Sequence, residues 1–374
     1  MRFSNPYKLR KVRLGDICTI TGGYAFDSHK MKQQGEYQII KMGNLYNGIF
    51  DLSRNQSFIN VPTKKELEYL IQKNDILITL TGTTNKKDYG YTVQIEKPKK
   101  LLLNQRCALI RASKVNEKYL FYLLNSNDFL KQFYASSTGG TGNQTNVSIN
   151  DMLDFKVYIS NENDQLKISN ILNALDKKIS TQIKIINDLK AQKNYIIHSI
   201  FSKLNSKLVL ITDIAEIYQP QTISSANFDE SAEFPVFGAN GIIGYYEKYN
   251  HENEQICIAC RGASVGTINL SKKKSWITGN SMVINSDNYD DIIDKKFLYY
   301  QLMFIDFNKY ISGSGQPQIT RESLKNLKIK VPSLEAQQLI SNILNHIDLK
   351  ITIELKLLCQ YQLQKAFLLK NMFV

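Results

Sequence analysis

Ile168-Ser169-Asn170-Ile171-Leu172-Asn173 occurs a second time as Ile340-Ser341-Asn342-Ile343-Leu344-Asn345, so that the residue numbers of the two copies differ by 172. The likeness extends beyond these six positions. Of the 34 residues from 168 to 201, 13 are identical to the residues at this offset. A fixed long period indicates a repeated structural unit. The sequence therefore predicts two similar halves that end in the same element.

Both copies have the hydrophobic pattern of a coiled-coil helix. Apolar residues recur at a and d positions over about four heptads, and neither Gly nor Pro interrupts residues 164–204 or 333–374. Some 40 residues at a rise of 1.5 Å make a helix of roughly 60 Å. Additional apolar positions widen the stripe and leave open two amphipathic helices on separate cores. The predicted helix-pairing residues are Leu172, Leu175, Ile179, Ile186, Leu189, Ile196, Leu344, Ile347, Ile351, Leu358, Tyr361 and Leu368.

Polar residues interrupt the two seams at equivalent places. Gln182 and Glu354 occupy matching d positions, and Lys193 and Lys365 occupy matching a positions. Such residues weaken an apolar seam but fix its register. We therefore expect these four side chains to set how the helices align, with the pair antiparallel if a two-fold axis relates the halves.

The segments that precede the helices also match. Residues 12–20 and 209–217 share an alternating pattern, and predicted strands at 75–79 and 255–259 both lead into loops of small residues. Mixed strands and short helices predict an α+β (mixed α/β) fold with two similar globular domains, two long antiparallel coiled-coil helices and a pseudo-two-fold internal repeat. The predicted domains are 1–163 and 206–332, and the predicted helices are 164–205 and 333–374.

Composition places limits on the setting. No apolar run reaches the ~18–20 residues of a membrane span, and the N-terminus lacks the apolar core of a signal peptide. The five cysteines are scattered, and Cys257 and Cys260 lie in a strand-like run that would place them on opposite faces. We therefore expect a reducing, cytoplasmic setting and no metal site.

The net charge of +13 suggests a polyanionic partner, nucleic acid first. Residues 1–163 contain 23 Lys and Arg against 14 Asp and Glu, whereas residues 206–332 are close to neutral. Any DNA-binding charge in the second domain must therefore lie on one face. The alternative is a solvated basic surface that maintains solubility.

Catalytic motifs are missing from the sequence. It contains no phosphate-binding loop, no nucleophile elbow and no Asn-Pro-Pro-aromatic motif of the amino-methyltransferases. The four histidines share no ligand spacing. We expect no catalytic residue and no bound cofactor in this chain.

Two divergent globular segments, each followed by a nearly identical long helix, resemble the specificity subunit of a type I restriction–modification system. The resemblance also rests on the segment from Arg261 to Gly266 and on residues 313–320, which include Gln316 and Pro317. The first half has Thr81 in place of the arginine and lacks the Gln-Pro pair, which leaves its loop contacts open.

The resemblance implies a non-catalytic subunit that recognises double-stranded DNA. Each globular domain would be a target-recognition domain for one half of a split, asymmetric target, and the helices would set the spacing. The helices would also dock two methyltransferase subunits, which carry S-adenosylmethionine, and through them the restriction and translocase subunits. Two half-sites about one helical turn (~34 Å) apart require a rigid separator, and a ~60 Å helix pair can supply one.

Base reading requires donors and acceptors on loops, with Lys or Arg nearby for phosphates. For each candidate the alternative is an ordinary exposed turn residue. The DNA-binding candidates are Tyr24, Lys41, Asn44, Thr83, Asn85, Lys86, Lys87, Arg106, Asn143 and Gln144 in the first half, and Gln221, Asn240, Arg261, Ser264, Lys272, Lys273, Lys274, Gln316 and Gln318 in the second.

Two other functions remain open from sequence. One is a standalone DNA-modifying enzyme or nuclease with an unrecognised catalytic motif. The other is a coiled-coil interaction protein without a nucleic-acid role.

Overall fold

The computed structural model describes residues 8–139, 143–262, 264–312 and 317–373. The chain divides into two compact units: unit 1 is Met1–Thr181 with Leu358–Val374, and unit 2 is Gln182–Leu357. We call the globular part of unit 1, before its long helix, domain 1, and the globular part of unit 2 between the two long helices domain 2. The predicted four-segment division of the chain stays a prediction.

Domain 1 is built from short strands and helices. Its strands are β1 (Arg10–Arg13), β2 (Cys18–Gly22), β3 (Tyr37–Ile40), β4 (Phe58–Ile59), β5 (Ile76–Thr79), β6 (Thr81–Thr83), β7 (Thr92–Gln94), β8 (Leu101–Leu103), β9 (Cys107–Ala112), β10 (Thr138–Gly139), β11 (Gln144–Asn146) and β12 (Lys156–Ile159). Its helices are α1 (Lys64–Leu67), α2 (Glu117–Leu123), α3 (Asn127–Ala135) and α4 (Ile149–Asp154). The first long helix, α5, is Glu162–Lys203.

Domain 2 repeats this framework with fewer elements. Its strands are β13 (Lys207–Leu210), β14 (Glu216–Tyr218), β15 (Phe234–Gly238), β16 (Gly241–Tyr246), β17 (Ile256–Ala259), β18 (Ile268–Leu270), β19 (Trp276–Ile277), β20 (Ser281–Asn285) and β21 (Lys328–Val331). Its helices are α6 (Lys295–Phe304) and α7 (Arg321–Leu324), and the second long helix, α8, is Leu334–Asn371.

The two domains share their sheet topology. The antiparallel order β2-β9-β5-β7 in domain 1 matches β14-β20-β17-β18 in domain 2, and β4-β3-β8 matches β16-β15-β19 with one parallel pair in each. A two-stranded ribbon, β1-β12 or β13-β21, delivers the chain to the long helix. The central strands β5 and β17 are buried at every residue, as expected for continuous apolar runs covered on both faces.

Each globular core includes residues from both long helices. In unit 1, Ile168 and Leu172 of α5 lie in the core of domain 1, and Leu368 of α8 packs against it. In unit 2, Leu344 of α8 and Phe201 of α5 join the core of domain 2. The predicted fold class, α+β with two similar halves and two long helices, is confirmed.

Within each unit the helix segments run antiparallel. In unit 2, Gln182 contacts Glu354, while Lys193, further along α5, contacts Asp348, an earlier residue of α8. All twelve predicted helix-pairing residues are buried or half-buried, with Leu172, Leu175, Ile186, Leu189, Leu344 and Ile351 in the buried group.

Cys257 and Cys260 belong to different hydrophobic clusters, one with Phe237 and one with Ile319. This placement agrees with the expectation that residues three apart in a strand face opposite sides. Burial raises the pKa of the Cys257 thiol to about 12. The thiol therefore stays protonated in the core.

Candidate nucleic-acid interface

One edge of domain 1 gathers six of the candidates. Strand β11 pairs with β6, with Gln144 opposite Thr83, and the Thr84 amide donates to the Asn143 carbonyl over 2.9 Å. The loop after β6 and the start of β11 therefore form a single polar edge. We call this the β6–β11 edge, and its candidates are Thr83, Asn85, Lys86, Lys87, Asn143 and Gln144.

Asp88 fixes the conformation of the β6–β11 edge. Its carboxylate accepts hydrogen bonds from the Thr83 amide at 2.8 Å and the Thr83 hydroxyl at 2.6 Å. These bonds hold the pKa of Asp88 below its usual range. Asn85 turns the chain with a φ of 63°, a left-handed conformation that Asn tolerates. The loop thus exposes Asn85, Lys86 and Lys87 from a fixed base, although the Thr83 hydroxyl is already engaged.

The remaining domain 1 candidates lie elsewhere, and one is removed. Asn44 is fully buried, and its amide nitrogen donates to the carbonyls of Asp51 and Arg54. Its carbonyl oxygen accepts from the Lys41 amide, so Asn44 holds a loop together and cannot reach DNA. We correct this assignment: a polar residue in a glycine-containing turn looked exposed from sequence, but the fold encloses it.

Tyr24 and Lys41 have partners within domain 1, whereas Arg106 is exposed. Tyr24 packs edge-on against Phe26, with ring centroids 5.0 Å apart, and the Lys41 ammonium donates to the Ser57 hydroxyl over 2.7 Å. Arg106 is exposed in a turn with a φ of 73°. Of these three, Arg106 is the most available for a phosphate or base contact.

In domain 2 the structure places Arg261 opposite Gln318 in an antiparallel bridge. This is the position that the Thr81–Asn146 pair of β6 and β11 occupies in domain 1. Ser264 is half-buried in the following turn, and Gln316 lies outside the described residues. The two domains therefore present the same edge with different side chains.

The other domain 2 candidates are exposed and lie in separate turns. Lys272, Lys273 and Lys274 form the connection between β18 and β19, and Asn240 occupies the turn between β15 and β16. Gln221 lies in the loop that follows β14. Among the described residues, no hydrogen bond or ion pair joins these turns to Arg261 or Gln318.

A cavity of about 280 Å³ opens beside the Arg261–Gln318 bridge. Its walls include Tyr218, Gln219 and Arg321, three residues that the sequence reasoning did not select. Tyr218 is held in place by His251, whose Nε2 lies 2.9 Å from the tyrosine hydroxyl. Arg321 directly follows Thr320, the residue that caps α7. Of these three residues, Arg321 could have been found from sequence because arginine is rare there. Residues 112–374 contain 26 lysines but only two arginines, at 261 and 321.

A second group of residues joins each domain to the long helices. In unit 2, Asp348 accepts from the Tyr300 hydroxyl at 2.8 Å and pairs with Lys193 at 2.7 Å. Burial and the adjacent carboxylate raise the pKa of Tyr300, so its hydroxyl stays protonated and donates. We call this set the unit 2 triad.

Unit 1 contains the equivalent triad. Asp176 accepts from the Tyr122 hydroxyl at 2.8 Å and pairs with Lys365 at 2.6 Å. Each triad thus ties a helix of the globular domain to both long helices. The lysines were predicted to fix register, whereas the tyrosines were missed because they lie in the globular segments.

A buried glutamine makes a further joint at the start of each long helix. Gln165 accepts from the Asn116 amide at 3.0 Å, and Gln337 accepts from the Asp294 amide at 2.7 Å. Both glutamine side-chain amides also donate to a carbonyl just before their own helix. Gln165 and Gln337 are related by the same offset as the two copies of the repeat, so the repeat itself could have identified them.

These features define a duplicated two-domain protein, with constant joints at the helices and different polar edges on the domains. The chain belongs to the family described as "Type I restriction modification DNA specificity domain", whose profile matches residues 6–191 and 204–360. In the part of the chain that the structure describes, no helix is long and apolar enough to cross a membrane.

Individual relatives support the same family. The EcoprrI specificity subunit of Escherichia coli is 30% identical over 167 residues, which are 42% of this chain and 41% of that subunit. The match to this subunit therefore spans less than half of its length. The MjaVIII specificity subunit of Methanocaldococcus jannaschii is 25% identical over 96% of this chain and 90% of that subunit.

A solved structure shares the fold. The crystal structure of the S subunit of a type I restriction–modification system from M. genitalium aligns with a TM-score of 0.66, covering 100% of this chain and 98% of that chain. The two sequences are 18% identical, so this likeness concerns the fold alone.

Proposed function

We propose that this chain is the DNA-recognition subunit of a type I restriction–modification complex. Domain 1 and domain 2 each read one half of a bipartite, asymmetric DNA target. The paired long helices set the spacing between the halves and dock two methyltransferase subunits. The restriction and translocase subunits join through the methyltransferases.

The observation that carries this proposal is the contrast between constant and variable positions in the two units. The triads and the glutamine joints use the same residue types at the repeat offset in both long helices. In contrast, the equivalent paired positions carry Thr81, which is buried, and Asn146 in domain 1 but Arg261, which is exposed, and Gln318 in domain 2. Identical joints suit two copies of one partner, and different edges suit two different DNA half-sites.

The chain itself is proposed to lack catalysis and to bind no cofactor. S-adenosylmethionine would be held by the methyltransferase subunits, and DNA affinity would come from the exposed lysines of the loops together with base-reading polar groups. This arrangement predicts weak, salt-sensitive DNA binding by the chain alone. Binding becomes selective when the methyltransferase subunits are added.

Methylation mapping tests the proposal. Cells that express the methyltransferase subunit with and without this chain are compared by genome-wide detection of methylated bases. A split motif that appears only when both proteins are present is the expected result. Methylation or cleavage of DNA by the purified chain alone would instead support a standalone modifying enzyme, and an unchanged methylation pattern would refute the role in recognition.

A matched variant tests the docking role of the helices. Leu175 is 6% exposed in the helix pair, so Leu175→Asp places an unpaired charge in the seam. We expect loss of the complex with methyltransferase subunits on size-exclusion chromatography. Lys177→Asp, at an exposed position of the same helix, is the control. Full assembly by the Leu175 variant would contradict the docking role.

A further inference from the structure

After residue 111 the sequence contains many lysines but only two arginines, and these two lie at the same place in domain 2. Of the 28 basic residues from 112 to 374, 26 are lysines. The two arginines, Arg261 and Arg321, line the same cavity in domain 2. Lysine supplies positive charge as well as arginine does, so a site that keeps arginine uses the planar, five-donor guanidinium.

Both guanidinium groups are available for a ligand. Arg261 and Arg321 are exposed, and among the described residues neither forms an ion pair or a side-chain hydrogen bond. Of the five arginines described in domain 1, Arg13, Arg54 and Arg111 pair with aspartates. Within the described part of the chain, the cavity therefore holds two cationic donor groups with no carboxylate to satisfy them.

The rest of the cavity adds fixed polar groups. Gln318 lies opposite Arg261 in the bridge, and the side-chain amide of Gln219, in the cavity wall, donates to the Gly279 carbonyl. Tyr218 is fixed by the hydrogen bond to His251, with the two rings stacked at an interplanar angle of 6°. These contacts hold the wall in place around the arginines.

In domain 1 an isoleucine occupies the equivalent space. Ile149 follows the helix cap Ser148 as Arg321 follows the cap Thr320. A Cβ on Gly22, the counterpart of Gln219, would lie 3.0 Å from Ile149 Cδ1. Thr81 stands where domain 2 has Arg261. Thus the two cationic groups of the cavity are a property of domain 2 and not of the shared framework.

We propose that this cavity reads guanine in the half-site bound by domain 2, with Arg261 and Arg321 as the specificity-determining residues. Guanine presents two acceptors, N7 and O6, in the major groove, and the arginine fork matches them with two parallel hydrogen bonds. The inference rests on the proposed function, because it names the base that the recognition site takes. Contact with phosphate alone is the competing role for the two arginines.

The test uses the complete complex of this chain with its methyltransferase subunits. Methylation mapping first defines the two half-sites, and duplexes then carry 7-deazaguanine, which lacks the N7 acceptor, at each guanine in turn. We expect the wild-type complex to lose about 10- to 100-fold in affinity at one or two guanines of a single half-site. Arg261→Ala and Arg321→Ala should remove the preference for guanine at those positions and leave the other half-site unchanged.

Lys272→Ala is the matched control, because this exposed lysine lies in the same domain outside the cavity. This variant should weaken binding to all duplexes equally. The slope of log affinity against log salt concentration should become shallower by about one. If the arginine variants behave like this control, the arginines contact phosphate and the inference is wrong. Insensitivity of the wild-type complex to 7-deazaguanine in both half-sites would also overturn it, without any variant. A wild-type complex without sequence preference would instead refute the proposed function itself.

Discussion

The unit 2 triad gives the most direct test of how the helices hold their register. Lys193 and Asp348 are 2.7 Å apart, with side chains 12% and 32% exposed. A hydrogen bond to a charged group contributes about 1.5–3 kcal/mol, and removal of one partner from a fully buried pair costs about 3–5 kcal/mol. Because this pair is partly exposed, we expect Lys193→Met to destabilise unit 2 by about 2 kcal/mol.

The single tryptophan makes the measurement specific. Trp276 lies in β19 of unit 2, so its fluorescence reports the unfolding of that unit. A loss of ~2 kcal/mol in a unit of this size corresponds to a fall in Tm of about 4–8 °C. The matched control is Lys365→Met, which removes the equivalent ion pair with Asp176 in unit 1. This control should leave the Trp276 transition nearly unchanged.

A double-mutant cycle separates the pair from the packing of the lysine stem. If the ion pair is the cause, Asp348→Asn combined with Lys193→Met should cost less than the two single substitutions added together. The expected coupling free energy is about 1–2 kcal/mol. Distant sites add within ~0.3–0.5 kcal/mol, so a coupling below that range would refute the reasoning.

Three further outcomes follow from buried groups. Burial lowers the pKa of His251 below 6.5, although the charge of Asp287 opposes this shift. The unfolded chain therefore binds a proton that the folded chain does not. The Trp276 transition should accordingly show that unit 2 loses stability as the pH falls below about 6.5, and His251→Gln should weaken that dependence. Gln337→Ala leaves the Asp294 amide without its acceptor and should cost about 1–3 kcal/mol in the same assay. Gly90→Ala should destabilise unit 1, because the φ of Gly90 is +76° and the new Cβ would lie 2.9 Å from a carbon of the Phe133 ring. Thermal unfolding followed by circular dichroism measures this loss.

Much of the fold could be predicted because the repeat is long and the helix pattern is regular. The fixed offset between the two copies identified the two long helices, and the polar positions Lys193 and Lys365 were correctly marked as exceptions in the seam. Their partners at Asp348 and Asp176 were visible as repeated residues, although their pairing with the lysines was not. Charge and spacing alone do not show which residues of the two long helices face each other.

The polar edges proposed to read DNA could be predicted only in part. Lysine-bearing loops are readable from sequence, and Lys86 and Lys87 are exposed as expected. Asn44 was misassigned because a polar side chain can satisfy the backbone of a loop as well as it can satisfy a base. Arg321 was missed because its position depends on the bridge between Arg261 and Gln318, which belong to segments far apart in the chain.

The polar residues in the seam restrict the helix pair to one alignment, which apolar residues alone would not do. A slip of one heptad, about 10 Å along the axis, would keep apolar a and d positions in contact. It would also bring Lys193 opposite Ser341 or Leu355 in place of Asp348 and separate Gln182 from Glu354. The resulting unpaired ammonium in the seam, partly exposed as it is, would cost about 2 kcal/mol. Hydrophobic burial therefore makes the pair stable, and the ion pairs make a single alignment preferred.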